Sequence, residues 1–341
     1  MALIELVYHD PRPSVAAVTL VPAVSRDLLR GQVSFSRDDG VWRLRFPPPP
    51  VDRLEYMLEI RYRNGRTRQI RDPENPLEAA GPFGAKSVLE LPGYDAPSWL
   101  EDEPPRGETV EFAIGSRTLR TEVPVRLWAA AETTLDEELP LLVVHDGPET
   151  DEFASLTLFL DFLVDAGETP PFRAALLQPV DRNEQYSGSA AYAGALAREL
   201  LPALPTPSER RFRVGMGASL GALAMLHAHR QHPETFGGLF LQSGSFFRPR
   251  TDPQDVLFRR FFRISRFVGR LLRGYGAAPI PVTISCGLGE ENLANNRVVA
   301  EALARQGYEV RFVEFRDAHT WVGWRDVWDP WLPDLLIRAW G

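Results

Sequence analysis

A short strand-like stretch, residues 212–215, runs into Gly217-Ala218-Ser219-Leu220-Gly221, and residues 222–228 continue as an Ala- and Leu-rich helix start. Gly-x-Ser-x-Gly in that setting predicts a nucleophile elbow. Strand and helix backbones nearly touch across so tight a turn, so the flanking positions must be small, and glycine accepts the backbone angles needed there. The turn is expected to lift the Ser219 hydroxyl out at the carboxyl edge of a sheet. It also aims the Leu220 N–H at the place where an oxyanion would form. The pentapeptide alone occurs by chance in Gly-rich loops, so its strand and helix flanks carry the assignment.

A serine nucleophile needs a base, and in this kind of chain an acid and then a histidine follow the elbow. Of the six histidines, His227, His229 and His232 lie on or at the end of the helix that runs away from the elbow, and His9 is far upstream. His145 precedes the elbow and so stands on the wrong side of that order. His319, in the loop after the strand-like residues 310–315, is the expected base. The acid is expected after the apolar run 281–286, where Glu290 and Glu291 both qualify; Asp317 is a rival two residues from His319. A carboxylate there would hold the imidazole in the required tautomer. A Glu pair at that place also suits the start of a helix, whose dipole favours acidic residues.

These residues, with several other stretches, resemble the enterochelin (enterobactin) esterase family within the esterase D group of α/β-hydrolases. The matching segments are His145-Asp146-Gly147-Pro148, residues 181–186, Glu199-Leu200-Leu201-Pro202, the elbow, Pro233-Glu234-Thr235-Phe236-Gly237 and residues 242–246. They end with Cys286-Gly287-Leu288-Gly289-Glu290-Glu291, Asn296 and His319-Thr320-Trp321-Val322-Gly323-Trp324-Arg325. The series covers roughly residues 140–330, and less tightly an amino-terminal β domain. The resemblance implies an α/β-hydrolase with a mostly parallel sheet, and it selects Glu290 as the acid. Two departures stand out. Pro148 occupies the place of a common second oxyanion donor and has no N–H, which leaves Gly147, Glu149 or another group for that role. Gln185 stands where many relatives carry a glutamate.

The expected domains are an Ig-like β-sandwich over residues 1–95, a Pro-, Glu- and Asp-rich linker over 96–109 and the catalytic domain over 110–341. In the first, Trp42, Leu44 and Phe46 alternate with polar residues as in a half-buried strand, and Asn64-Gly65 signals a hairpin. From residue 110 onward strands and helices alternate, the pattern of a largely parallel sheet covered by helices.

A net charge of -8 argues against bulk attraction to nucleic acid or an anionic membrane, and no apolar run approaches the ~18 residues needed to cross a bilayer. The start of the chain lacks the basic and long apolar segments of a signal peptide, and Cys286 is the only cysteine. The expected compartment is therefore the cytoplasm. The chemistry requires no metal and no organic cofactor.

Residues 246–273 carry eight arginines against Asp252 and Asp255, a local charge of +6. The segment reads either as an amphipathic helix with a solvated cationic face or as a basic cap over the site. As a cap it would attract an anionic aromatic ester or an iron–siderophore complex, with Arg248 on the cap, Arg182 on the opposite wall, and Trp321 and Trp324 lining the site. The function expected is a serine carboxylic-ester hydrolase of siderophore-esterase type with a small-molecule ester substrate. The alternatives are a carbohydrate acyl or feruloyl esterase, a general carboxylesterase, and a non-catalytic binding protein of the same fold.

Overall fold

The structure, a computed structural model, describes residues 3–10, 14–104, 106–134 and 137–341. Met1 and Ala2, the first residues of the amino-terminal stretch considered above, lie outside the described residues. The chain divides into two compact units, one of which joins distant parts of the sequence. The first unit comprises the residues up to Asp95 together with Gly287–Glu291 and Glu314–Gly323; the second comprises the remainder.

The first unit holds strands β1 (Ile4–His9), β2 (Val15–Pro22), β3 (Ser36–Asp38), β4 (Val41–Phe46), β5 (Arg53–Tyr62), β6 (Thr67–Ile70), β7 (Glu78–Ala79) and β8 (Lys86–Glu90). They form two antiparallel sheets, β1-β4-β3 and β2-β5-β8-β7, with β6 paired to β5. The alternation in β4 does what its period of two dictates: Trp42, Leu44 and Phe46 are buried while Arg43 and Arg45 face outward. These three side chains share a core with Val18, Leu20, Leu54, Leu58 and Ile60 from the other sheet, so the two inner faces pack as a sandwich. Ala318, more than two hundred residues downstream, belongs to the same core.

The second unit begins inside the stretch expected as a linker. A short 3-10 turn, Ser98–Glu101, buries Trp99, which stacks on Trp328 at 6.3 Å and tilts against Phe159 at 4.9 Å. Within this acidic, proline-rich stretch the Trp99 indole removes a large apolar area from water.

The unit continues with β9 (Glu108–Ser116), β10 (Thr121–Ala129), β11 (Leu141–His145), β12 (Arg173–Leu177), β13 (Arg213–Ala218), β14 (Gly238–Gln242), β15 (Pro281–Gly287) and β16 (Glu309–Phe315). Between and after them lie helices α1 (Gly147–Ala154), α2 (Leu156–Asp165), α3 (Arg182–Tyr186), α4 (Ala190–Ala195), α5 (Leu220–Gln231), α6 (Phe261–Leu272), α7 (Leu293–Arg305), α8 (Trp321–Arg325), whose first three residues belong to the first unit, and α9 (Trp328–Trp340). The sheet order is β16-β15-β14-β13-β11-β12-β10-β9. β12, β11, β13, β14 and β15 run parallel, while β10 and β9 are antiparallel additions at one side. The expected α/β-hydrolase architecture with its small all-β companion is thus present. Strands β11, β12 and β14 are buried along their whole length, which explains their unbroken apolar runs. The helical stretch anticipated over 153–166 is two helices, broken by Ser155 at φ 57°.

Candidate active site

Ser219 sits between β13 and α5 with φ 57° and ψ -121°, a backbone conformation that side-chain-bearing residues rarely adopt. Strain of this kind costs on the order of 1–3 kcal/mol and persists only where neighbours over-determine it. Here they do. The Ser219 N–H donates to Gln242 O at 2.9 Å, and the Ser245 N–H donates to Ser219 O at 3.1 Å. A Cβ on Gly217 would lie 2.6 Å from the Gly221 carbonyl carbon, and one on Gly221 would lie 3.1 Å from His145 Cβ. The small residues of the pentapeptide are therefore required by contact. The half-buried Ser219 places its Oγ 3.1 Å from Ser245 Oγ. Ser245 is held by a loop after β14 in which Gly244 and the Asn296 amide exchange two hydrogen bonds, at 2.9 and 3.0 Å.

Beneath the elbow lies a buried polar group whose role sequence order alone did not reveal. His145, at the end of β11, donates from Nδ1 to Gly221 O at 3.0 Å, and its Nε2 accepts from the Tyr192 hydroxyl at 2.8 Å. Burial lowers its pKa to about 3, so it is a neutral strut between β11 and the first turn of α5. Next to it, Asp146 (φ 51°) receives a two-pronged ion pair from Arg182 at 2.7 and 2.9 Å. Burial raises the Asp146 pKa against the opposing pull of Arg182. Arg182, expected on a substrate-facing wall, pairs with this buried carboxylate and keeps 40% of its own side chain exposed.

Gly147 opens α1 and is pressed so close to β12 that a Cβ would lie 2.4 Å from Leu176 Cα. Pro148 fills the first turn of α1, a place where its missing N–H costs no helical hydrogen bond. The first-turn N–H groups of a helix have no intrahelical acceptor. Gly147 and Leu220 therefore each present such a donor, from helices that follow the neighbouring parallel strands β11 and β13.

In the other unit, His319 and Glu290 form a pair. The His319 Nδ1 lies 2.7 Å from Glu290 Oε2, and Glu290 Oε1 accepts the Gly287 N–H at 2.8 Å. The Glu290 side chain is 1% exposed and that of His319 38%. With the proton on Nδ1 facing the carboxylate, Nε2 is left as the basic nitrogen. Glu291 is exposed, and Asp317 is buried with its Oδ1 accepting the Ala318 N–H at 2.6 Å. Of the three acids open from the residues, Glu290 is the one hydrogen-bonded to the imidazole, and Asp317 shapes its own loop.

Trp324 is buried, and its indole N–H donates to Ser243 Oγ at 2.9 Å, bracing the loop after β14. Trp321 is half-buried on α8. Arg248 is half-buried, with its backbone N–H bound to Asp252 Oδ2 at 2.7 Å. The basic segment divides in two. Arg260 and Arg263 both pair with Glu184, and Arg263 also donates to Ser187 O at 2.7 Å. Those ion pairs hold the Glu184 pKa low against desolvation. Arg259, Arg266, Arg270 and Arg273 are exposed, the last two against the Tyr275 ring. α6 buries Phe261, Ile264, Val268 and Leu271 on its other side, so it is an amphipathic helix whose cationic face is only partly committed.

The buried histidines predict an acid-labile fold. Burial lowers His145 to about 3 and His227 and His229 to about 4, from an ordinary 6.5. The unfolded chain therefore binds these protons first, and stability is lost as pH falls below about 6.5 toward 4, by about 1.4 kcal/mol per pH unit for each group. Urea unfolding across that range should show the decline, and His145→Gln should flatten its slope by about one proton.

The "Putative esterase" family model matches residues 116–335. The chain belongs to this esterase family. Among curated relatives, the iron(III) enterobactin esterase of Escherichia coli O6:H1 is 32% identical over 213 residues, 60% of this chain and 52% of that protein. The matched region spans about half the length of the curated relatives it resembles. Among solved structures, the ferric enterobactin esterase of Salmonella typhimurium has a TM-score of 0.77 at 21% identity, covering 99% of this chain and 93% of that one. The Shigella flexneri enterobactin esterase, crystallised in the presence of enterobactin, has a TM-score of 0.75 at 22% identity, covering 99% and 92%. Among the described residues no helix is long and apolar enough to cross a membrane.

Proposed function

We propose that this esterase-family chain hydrolyses a siderophore-type ester through Ser219, His319 and Glu290. The observation that carries the reading is the strained Ser219 elbow, in a chain 32% identical over 213 residues to an iron(III) enterobactin esterase. Support for the base and acid comes from the 2.7 Å hydrogen bond that orients the His319 ring, and from the chain order serine, glutamate, histidine.

In this mechanism Ser219 Oγ attacks the ester carbonyl carbon while His319 Nε2 takes its proton. The oxyanion that forms accepts from the Leu220 N–H and the Gly147 N–H, with Pro148 excluded as a donor. Collapse breaks the bond to the alkoxide, which leaves with the proton from His319, and Ser219 remains acylated. Water then attacks the acyl carbon, giving its proton to His319, and the acid product departs as Ser219 recovers its hydroxyl. Throughout, Glu290 Oε2 accepts from His319 Nδ1 and holds the ring in place.

The test is a hydrolysis panel: short p-nitrophenyl esters, feruloyl and acetyl sugars, and a catecholate trilactone with and without iron. A siderophore esterase turns over the trilactone with the highest kcat/KM. A preference for the feruloyl or acetyl sugars would move the assignment to that class. The exposed arginines supply a second expectation. The kcat/KM for the anionic trilactone should fall as salt rises, because screening shortens electrostatic reach to ~8 Å at physiological ionic strength. A neutral p-nitrophenyl ester should respond little. Arg259→Gln with Arg266→Gln should erode the trilactone preference. Arg260 and Arg263 are poor probes of steering because their pairing with Glu184 is structural.

A further inference from the structure

The residues immediately before the two members of the acid–base pair are both seated on the amino-terminal β unit. Gly289, before Glu290, lies flush on two of its valines: an added Cβ would be 2.8 Å from Val24 Cγ1 and 3.0 Å from Val51 Cγ1. The Gly289 carbonyl accepts the Ser25 N–H at 3.0 Å. Ala318, before His319, is 1% exposed within the sandwich core. Two residues earlier, Arg316 O accepts the Asp52 N–H at 2.7 Å, and Arg316 Nε reaches back to Asp52 Oδ1 at 2.8 Å. The two turns are also zipped to each other, by the Leu288 N–H on Phe315 O at 2.8 Å and the Gly289 N–H on Asp317 O at 2.9 Å.

We propose that Val24, Ser25, Val51 and Asp52 are positioning residues for the acid–base pair: the β unit sets the Gly289 and Arg316 turns, and through them the Glu290–His319 hydrogen bond. This rests on His319 and Glu290 serving as base and acid. Backbone groups supply most of the attachment, because the Asp52–Arg316 ion pair has its arginine half in solvent and adds little alone. Valine methyls against a glycine leave no slack, so a small displacement is passed directly to the adjoining residue. Reacting groups misplaced by ~1 Å can lose ~10²-fold in rate.

The experiment measures kcat and KM on a p-nitrophenyl ester for Gly289→Ala, alone and with Val24→Ala and Val51→Ala, and for Ser25→Pro. Proline suits the Ser25 φ of -55° and deletes only the N–H given to Gly289. Gly289→Ala should lower kcat about 10–100-fold with KM within about two-fold. Trimming the valines should restore much of kcat. Ser25→Pro should reproduce the effect several-fold more weakly, and it serves as the test if Gly289→Ala does not fold. Loss confined to KM, or no recovery in a folded Val24→Ala/Val51→Ala/Gly289→Ala protein, would overturn the proposal. Glu290→Gln separates the two levels: if it leaves kcat intact the triad reading fails, whereas a large loss there with an inert Gly289→Ala sinks only the positioning role.

Discussion

Ser219→Ala should abolish ester hydrolysis, with kcat falling about 10⁴–10⁶-fold, as removal of a nucleophile does in other serine hydrolases. The fold should survive. The elbow is held by backbone hydrogen bonds from Ser219 N and to Ser219 O and by the close approach of Gly217 to Gly221, none of which uses the hydroxyl. Only the 3.1 Å contact to Ser245 Oγ is lost. Steady-state kinetics with a fluorophosphonate label will decide it. Label recovered on Ser219 and a dead, folded alanine variant are the expected pair of results. Label on Ser245, or turnover persisting in the variant, would transfer the nucleophile's role.

Glu290→Gln should cost kcat about 10²–10⁴-fold, while Glu291→Gln should fall within about two-fold of the parent. The difference follows from geometry. Glu290 is buried with one oxygen on His319 Nδ1 and the other on the Gly287 N–H, whereas Glu291 is exposed. A glutamine at 290 can offer an NH₂ to the imidazole and thereby stabilise the wrong tautomer, with the proton on Nε2 where the base should be free. Comparison of both variants over pH 5–9 on one neutral ester checks the ranking, and a larger loss at Glu291 would reverse it.

The parts of this protein legible in its sequence are those enforced by neighbours along the chain. The elbow is one, because the steric demand of a strand turning into a helix falls on residues within five positions, and only Gly217 and Gly221 satisfy it. The buried parallel strands are another: Leu141-Leu142-Val143-Val144 of β11 and Leu239-Phe240-Leu241 of β14 form apolar runs because both faces are covered. The alternation of β4 is a third, since a strand with one wet face must change polarity at every residue.

What only the tertiary structure decided depends on partners far away in sequence. The residues alone left Glu290, Glu291 and Asp317 open and only a family resemblance favoured Glu290; the folded chain puts Glu290 Oε2 2.7 Å from His319 Nδ1. The arginine-rich segment read as one cationic face, yet Glu184, some eighty residues upstream, claims Arg260 and Arg263 for structure. That Arg182 pairs with Asp146, and that the Trp324 indole N–H meets Ser243, is set only by the fold. Asp52 and Arg316 are 264 residues apart and meet only when β5 and the turn after β16 are both in place. A local pattern records the backbone's steric and solvent demands. Which charge neutralises which, and which glycine must yield to which valine, is settled by chain segments that no periodicity links.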